Sequence, residues 1–485
     1  MTEIFLKTNT PEFFNELSDE IRIFIPGATV KRVDEITGGL LVCAEIEETD
    51  ITFNAHSALF VDSIISKTFN HGTKKEPGGA IFNKRQKKHT LKICVFRLLK
   101  EYFKISPPWG SLTGIRPTKF FRDISSVKGK AFAKNAFLND YDVREDKVRL
   151  TQDTINSQKN ILESIKENDI DVYVGIPFCP SRCAYCSFAS NDIKKFSKYV
   201  DDYIEKLIIE INSMKDINAA VRSIYIGGGT PSALDEKHFS ALLDALLNVF
   251  TPNMEFCVEA GRPDSITREK LKLMKDANVL RISINPQTLN ELTLAKIGRA
   301  HTIKQFFDSY ELAKGMGFDN INVDIIVGLP GETESDIIKT LDGIMKLNPE
   351  NLTVHTLAIK RASKFNLSGE YSFTDGSIVE NMVNVCQKKA YENGFKPYYL
   401  YRQKHMMGNL ENVGFSKDGK ECVYNIDIME EAVSIIAFGA GAISKRVFDK
   451  GNRIERAVNV SDLKNYLERT DEMIERKRDL FKCLL

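Results

Sequence analysis

From about residue 170 onward, six short apolar runs alternate with longer amphipathic segments, and this alternation is the sequence feature that most constrains the fold. The runs are rich in β-branched and aromatic residues: Val172–Ile176, Ser223–Gly227, Glu255–Ala260, Leu280–Asn285, Ile321–Gly328 and Leu352–Leu357. The segments between them have apolar residues at helical spacing: Lys194–Met214, Glu236–Phe250, Thr267–Asp276, Ile303–Met316 and Ser335–Leu347. Repeated strand–helix units predict a parallel sheet with helices outside it.

The number of units and the regions on either side of them set the domain prediction. Six units fit an open, partial (β/α)6 barrel better than a closed eightfold barrel. We therefore predict an α/β fold, with the partial barrel at residues 165–365. An N-terminal α+β domain is expected at residues 1–150, and a C-terminal, mostly helical extension at residues 366–485. The basic stretch Asn83–Lys92 is expected to be a solvated loop that precedes a helix.

The charge balance makes several classes of partner unexpected. The chain has 67 basic and 66 acidic residues, so broad electrostatic binding to nucleic acid or to an anionic membrane is not expected. No apolar run approaches the ~18 residues that span a bilayer, and the N-terminus lacks the features of a signal peptide. We therefore expect a cytoplasmic protein that is a monomer.

Three of the nine cysteines follow the first predicted strand closely. Cys179, Cys183 and Cys186 have the spacing Cys-x3-Cys-x2-Cys, with Tyr185 before the last of them. Prolines within and before the motif preclude a regular helix, so the thiolates are expected on a loop that can surround one centre. Three thiolates leave one iron of a four-iron cluster without a protein ligand. Zinc, which would need a fourth nearby ligand, and incidental cysteines are the alternatives.

Each of the other predicted strands ends in a polar or glycine-rich feature. Because the carboxyl ends of parallel strands in a barrel share one rim, these features are expected to lie together. They are Gly227–Gly228–Gly229–Thr230, Glu259, Asn285–Pro286–Gln287 with Arg299, Asp324, and His355. For the glycines the alternative is a tight turn, and for Glu259 it is a structural ion pair with Arg262 or Arg281.

With its Cys-x3-Cys-x-aromatic-Cys motif after the first strand, the sequence resembles the radical S-adenosylmethionine (SAM) superfamily. The resemblance implies that the three cysteines hold a [4Fe–4S] cluster and that the amine and carboxylate of SAM bind its fourth iron. Reduction then cleaves SAM to methionine and a 5′-deoxyadenosyl radical that abstracts hydrogen. It also implies that Gly228, Gly229 and Thr230 meet the methionyl amine of SAM, next to Tyr185.

Further motifs resemble the oxygen-independent coproporphyrinogen III dehydrogenase group, in its HemZ-type branch. They are Glu-Ala-Gly-Arg-Pro-Asp (259–264), Ser-Ile-Asn-Pro-Gln-Thr (283–288) and Tyr-Leu-Tyr-Arg-Gln-Lys (399–404). The resemblance implies SAM contacts at Tyr173, Glu259, Gln287, Arg299 and Asp324, with Tyr173 and Glu259 also in catalysis.

The activity that the resemblance implies is oxidative decarboxylation of coproporphyrinogen III to protoporphyrinogen IX in haem biosynthesis. One or two SAM molecules would bind, and a flavodoxin or ferredoxin type of protein would donate electrons. Because the substrate carries four carboxylates, cations are needed at the mouth of the barrel. The candidates are Arg262, Arg361 and Arg402, with Lys360 and Lys404 nearby.

The sequence departs from the best-characterised dehydrogenases at two places. Gly175 stands where they carry a histidine, and Ser187 and Phe188 stand where they have a further cysteine. The alternatives are a haem chaperone, a haem-opening radical SAM enzyme, and an RNA-modifying enzyme that uses the basic stretch. The chaperones carry a histidine at the position of Gly408 here, and His405 is displaced from it.

Overall fold

The computed structural model of the chain describes residues 2–35, 38–113, 116–186, 190–358, 375–403, 406–448, 451 and 453–485. The chain forms two compact units. The first consists of Met1–Thr151 with Gly408–Leu410, and the second of Gln152–Met407 with Glu411–Leu485.

The first unit is a five-stranded mixed sheet with helices. Its sheet has the order β2-β1-β3-β4-β5, in which β1 is parallel to β2 and β3 and the other pairs are antiparallel. The strands are β1 (Glu3–Thr8), β2 (Thr29–Arg32), β3 (Leu40–Glu48), β4 (Thr52–Val61) and β5 (Ile64–Lys74). The helices are α1 (Phe14–Phe24), α2 (Ala80–Phe103), α3 (Pro117–Lys128), α4 (Lys130–Asn135) and α5 (Glu145–Glu163), the last of which contains the unit boundary.

The basic stretch at residues 83–92 lies inside helix α2, so the prediction of a solvated loop was wrong. Apolar residues further along the same helix pack into the core of the unit. This packing stabilises the whole helix, which begins before the charged residues and includes them. Lys87 pairs with Glu48, Lys88 with Glu16, and Lys92 with the buried Glu20. These three ion pairs leave less unpaired positive charge for the RNA-modifying alternative, which depended on this basic stretch.

The second unit contains the predicted partial barrel. Its six main strands follow one another in parallel in chain order: β6 (Asp169–Ile176), β9 (Ala220–Gly228), β10 (Glu255–Gly261), β11 (Arg281–Ile284), β12 (Ile321–Val327) and β13 (Asn351–Thr356). Two-residue strands β7 (Phe178–Cys179) and β8 (Asn191–Asp192) follow β6. The helices are α6 (Val200–Asn212), α7 (Glu236–Val249), α8 (Arg268–Asp276), α9 (Glu291–Lys296), α10 (Ile303–Gly315) and α11 (Glu334–Lys346). The predicted strand–helix alternation is confirmed, with small differences at the boundaries.

The C-terminal part contains helices, as predicted, and it also extends the barrel sheet at both ends. The helices are α12 (Gly376–Glu392), α13 (Val423–Glu430), α14 (Leu463–Glu468) and α15 (Thr470–Phe481). The strands are β14 (Lys396–Tyr401), β15 (Asn412–Ser416), β16 (Ser434–Phe438), β17 (Ile443–Phe448) and β18 (Arg453–Val458). Strand β15 pairs antiparallel with β13, and β16 pairs parallel with β6. Over the residues that the structure describes, the sheet therefore has eleven strands in the order β14-β15-β13-β12-β11-β10-β9-β6-β16-β17-β18, with β14 and β18 at its edges.

Over the described ranges, no helix combines the length and the apolar composition needed to cross a bilayer.

Candidate functional site

A cavity of about 420 Å³ opens among the carboxyl ends of the barrel strands. Its volume lies in the range of small-molecule sites, ~300–1,000 Å³. Nearly all the predicted site residues line it: Tyr173, Cys179, Cys183, Tyr185, Cys186, Gly228, Gly229, Thr230, Glu259, Arg262, Gln287, Arg299 and Asp324. The fold thus brings together residues that are separated by as much as 151 positions in the sequence.

The cysteine loop is held by backbone hydrogen bonds from neighbouring strand ends. The N–H of Gly229 donates to the carbonyl of Ile176 over 2.7 Å, and the N–H of Thr230 donates to the carbonyl of Phe178 over 2.8 Å. On the other side, the N–H of Ala184 donates to a carbonyl at the end of α9. The loop conformation therefore depends on two separate barrel segments.

Glycine is required at position 229 because the cysteine loop lies directly against its backbone. A Cβ there would lie 2.5 Å from the carbonyl oxygen of Phe178 and 3.0 Å from Sγ of Cys179. Since the N–H groups of Gly229 and Thr230 are already used by the loop, carbonyl oxygens are what this segment has left for a ligand. Carbonyl oxygens accept hydrogen bonds, as a ligand amine would require.

Two arginines act on the central thiol of the motif. Burial alone would raise the pKa of Cys183, but Arg299 and Arg262 together lower the pKa of its thiol below the ordinary value. The thiolate is the form that binds metal.

Among the described residues, no three His, Cys, Asp or Glu side chains converge as they would around a single ion. The thiolates of a four-iron cluster each bind a different iron and need no such convergence.

Glu259 makes neither of the ion pairs that were its structural alternative. Arg262 pairs with Asp264, and Arg281 pairs with Glu255. Glu259 instead accepts a hydrogen bond from the hydroxyl of Tyr225 and stays partly exposed to the cavity. Burial raises the pKa of its carboxyl to about 7, although the hydrogen bond from Tyr225 opposes the shift.

Gln287 and Asp324 occupy neighbouring positions on the rim. Gln287 has a φ of 69°, a left-handed conformation that is uncommon outside glycine and that surrounding contacts must stabilise. Backbone hydrogen bonds to Asp324 and Ile326 hold it there, and its Oε1 is buried without a hydrogen-bond partner. Asp324 accepts hydrogen bonds from Asn285 and Asn322, over 2.9 and 2.7 Å. Burial opposes ionisation of Asp324, but His355 and hydrogen bonds from Asn322 and Thr353 hold the pKa of its carboxyl below the ordinary value.

The outcome differs among the three arginines that were predicted to bind substrate carboxylates. Arg262 lines the cavity, but a two-pronged ion pair with Asp264, at 2.9 and 2.8 Å, already occupies its guanidinium. Arg402 lies between the cavity-lining residues Tyr401 and Gln403 and does not itself line the cavity. Arg361, with Lys360, Lys404 and His405, lies outside the described residues.

Several residues of the cavity were not assigned a role from the sequence. Tyr225, Tyr398, Tyr399 and Tyr401 line its wall, and His355 lies beside Asp324 with Nε2 3.5 Å from Oδ2. Tyr399 and Tyr401 belong to the motif at residues 399–404, but no role in the cavity was inferred for them because strand β14 was not predicted. Tyr225 lies two residues before the glycine segment, and this position directly before a ligand-binding turn was the one signal available for it.

The donor set fits an iron–sulfur cluster together with SAM. The three cysteines of the loop line the cavity, together with Cys257 and Cys422, and arginines bias the thiol of Cys183 toward the thiolate. The unpartnered Oε1 of Gln287 and the carboxylates of Glu259 and Asp324 are hydrogen-bond acceptors for an amine or for ribose hydroxyls.

Comparisons with known proteins agree with this site. A profile described as Radical SAM superfamily matches residues 173–344. The oxygen-independent coproporphyrinogen-III oxidase-like protein HemZ of Bacillus subtilis is 38% identical over 414 residues, covering 82% of each chain. The heme chaperone HemW of Bacillus subtilis is 33% identical over 304 residues, covering 61% of this chain and 74% of that protein. The solved structure of coproporphyrinogen III oxidase (HemN) from Escherichia coli has a TM-score of 0.52 at 22% identity, and the match covers 66% of this chain and 73% of that one.

The fold and the site define a member of the radical SAM superfamily. Within it, the chain belongs to the family of oxygen-independent coproporphyrinogen III oxidase-like proteins that includes HemZ. Its cofactors are accordingly a [4Fe–4S] cluster and SAM.

We expect Glu259→Gln to weaken SAM binding at least about tenfold, because it removes a charged hydrogen-bond acceptor from the cavity. Equilibrium dialysis with anaerobic, cluster-loaded protein measures this. Because the pKa of Glu259 is raised to about 7, its ionisation costs stability as the pH rises through that value. The melting temperature of the SAM-free variant should therefore equal or exceed that of the wild type above pH 7. A large drop in melting temperature with normal SAM binding would identify a structural role instead.

Proposed function

We propose that the chain catalyses the oxygen-independent oxidative decarboxylation of coproporphyrinogen III to protoporphyrinogen IX. The observation that carries the proposal is a single cavity that combines the cysteine loop with Glu259, Gln287, Arg299 and Asp324. The relative named as coproporphyrinogen-III oxidase-like supports it, since it matches this chain over 82% of its length.

In this proposal the side chains of the cavity position the cofactors. Bound together, the cluster and SAM supply the chemistry that removes a hydrogen atom from a substrate carbon. Cys179, Cys183 and Cys186 would hold the cluster, and Arg299 and Arg262 shift the thiol of Cys183 toward the thiolate, the form that binds iron. Glu259 and Asp324 would accept hydrogen bonds from SAM.

The tyrosines would shield the reacting atoms from water. Tyr173, Tyr225, Tyr398, Tyr399 and Tyr401 all line the cavity and provide an apolar wall with hydroxyl groups at its edge. Exclusion of water protects reactive intermediates from side reactions. A substrate propionate would reach into this space, while the cations that meet the other carboxylates would lie at the mouth.

The test is an anaerobic assay with coproporphyrinogen III, SAM, a chemical reductant and an added electron acceptor, in which the products are read by mass spectrometry. The acceptor takes the one electron that remains after each propionate has lost a hydrogen atom and CO2. Loss of two carboxyl groups as CO2, with formation of two vinyl groups, is the expected result. Cys183→Ala is the matched control and should give no product. Cleavage of SAM that is independent of coproporphyrinogen III, with no CO2 released, would reject this substrate while leaving the radical SAM assignment intact.

Haem handling is the second candidate function, and the resemblance to HemW favours it specifically. A haem-binding protein needs an iron ligand, most simply a histidine. His355 lines the cavity, which makes it a candidate beside His405. Asp324 faces Nε2 of His355, an arrangement that commonly orients a histidine that ligates a metal.

We predict that the protein binds haem weakly or not at all at one-to-one stoichiometry. The proposed substrate is a porphyrinogen, which contains no metal, so a site that binds it needs no iron ligand. A haem titration followed in the visible spectrum, run beside the decarboxylation assay, measures this. Tight one-to-one binding that is lost in His355→Ala or in His405→Ala, together with no decarboxylation by the wild type, would establish the chaperone function instead.

A further inference from the structure

Three tyrosine rings stack on one another beside Glu259. The ring of Tyr225 on β9 lies 4.5 Å from that of Tyr424 on α13, with 22° between their planes. Tyr173 on β6 stacks against both, at 6.3 Å from Tyr225 and 6.0 Å from Tyr424. Two barrel strands and a C-terminal helix therefore fix the orientation of the Tyr225 ring.

The hydroxyl of the Tyr225 ring points at Glu259. The hydroxyl of Tyr225 donates a hydrogen bond to Oε1 of Glu259, and Tyr225 itself is buried. Gly227 leaves room for the contact, since a Cβ there would lie 2.9 Å from Oε2 of Glu259 and 2.9 Å from the Tyr225 ring. The N–H of Gly228 also donates to the carboxylate. Glu259 nevertheless lines the cavity and stays open to a ligand there.

Of the groups that face Glu259, Tyr225 opposes protonation of its carboxyl most strongly. Burial and the charge of Asp324 both favour the protonated carboxyl, while Tyr225, His355 and the Gly228 N–H favour the carboxylate. Among these three, the hydrogen bond from Tyr225 has the largest effect on the pKa of Glu259. The titratable groups around Glu259 come from six elements: Tyr173, Tyr225, Asp324, His355, Tyr401 and Tyr424.

We propose that Tyr225 is a positioning residue that orients Glu259 and keeps its carboxylate available as a hydrogen-bond acceptor for SAM. The inference rests on the proposed contact between Glu259 and SAM. It adds a residue on β9 to a site otherwise defined by the cysteine loop and the strand ends.

The test is the pH dependence of SAM binding to anaerobic, cluster-loaded protein without substrate, in the wild type and in Tyr225→Phe. Wild-type binding should weaken as the pH falls through about 7, where Glu259 takes up a proton. In Tyr225→Phe the aromatic stack remains but the hydrogen bond is lost, so the midpoint should move up by about one pH unit. Binding at pH 7 should then be about fivefold weaker than in the wild type, because the ionised fraction of Glu259 falls from about a half to about a tenth, and binding at pH 9 should be nearly the same.

Tyr424→Phe is the matched control, because it removes a hydroxyl from the same stack and leaves the Tyr225–Glu259 hydrogen bond in place. Its midpoint should match the wild type. In a Glu259→Gln background, Tyr225→Phe should cause no further loss, since the two residues act through one contact. An unshifted midpoint in Tyr225→Phe, while Glu259→Gln still weakens binding, would overturn this inference alone. Unchanged binding in Glu259→Gln would overturn the SAM contact on which it rests.

Infrared difference spectroscopy of the wild type provides a second measurement should Tyr225→Phe fail to fold. The carboxyl band of Glu259, assigned by its absence in Glu259→Gln, should titrate near pH 7 without SAM. With SAM bound at the same pH, the carboxyl should be ionised. A carboxyl that stays protonated when SAM binds would contradict the proposal.

Discussion

Replacing Cys183 by alanine is expected to abolish SAM cleavage. The reconstituted wild-type protein should hold about four irons, and the variant should lose most of them, because each of the three thiolates binds a different iron. Cys183 is buried at the wall of the cavity, and Arg299 interacts with its thiol. Iron analysis, the absorption of the cluster and the yield of 5′-deoxyadenosine measure the effect.

Cys386 provides the matched control for this prediction. It is fully buried on α12, does not line the cavity, and burial raises the pKa of its thiol well above the ordinary value. Cys386→Ala should keep its iron and its SAM cleavage. The assignment of the cluster would be wrong if Cys257→Ala abolished cleavage while Cys183→Ala did not.

The second large effect is expected for Lys477→Met, which should destabilise the protein by about 3–5 kcal/mol by leaving Glu210 charged and unpaired in the interior. Lys477 on α15 and Glu210 on α6 are both fully buried, with Nζ 2.5 Å from Oε1. Glu210 also accepts hydrogen bonds from Asn459, from the hydroxyl of Tyr466 and from the N–H of Gly439. The network thus joins a barrel helix to the C-terminal part. Urea unfolding of the cluster-loaded protein measures the loss.

Lys482→Met is the matched control for Lys477→Met. Lys482 pairs with Asp479 at 3.3 Å, but both side chains are exposed. The free energy of unfolding should change by less than about 0.5 kcal/mol. The double variant Lys477→Met with Glu210→Gln should regain part of the stability, because it removes the uncompensated charge while the amide oxygen still accepts hydrogen bonds from the buried donors. An equal loss in both single variants would show that burial of the pair is not the cause.

The basic stretch at residues 83–92 shows where local sequence reasoning failed. Its charges suggested a solvated loop, since the run has few apolar residues. Helix α2 nevertheless extends through it, because Leu91, Val95 and Leu99 are buried in the core of the first unit. Packing of one part of a helix can stabilise the helical conformation of an adjoining charged part, and this packing is visible only in the tertiary structure.

The strands of the C-terminal part could not be predicted for a related reason. Strands β14–β16 join the barrel sheet because β15 pairs with β13 and β16 pairs with β6. In each pair the two strands are distant in the sequence. β14 brings Tyr399 and Tyr401 to the cavity. Pairing between strands depends on partners that a local pattern does not contain.

The sequence by itself determined the six-unit barrel, the cysteine loop and the acidic and amide groups at the strand ends. These features are local, since a strand–helix repeat, a cysteine spacing and a residue that follows a strand are all visible within short segments. Only the tertiary structure decided the partners: Arg262 with Asp264, Arg281 with Glu255, and Tyr225 with Glu259. The identity of a side chain sets what it can bind, but its partner depends on distance and burial, which arise only when separate segments pack together.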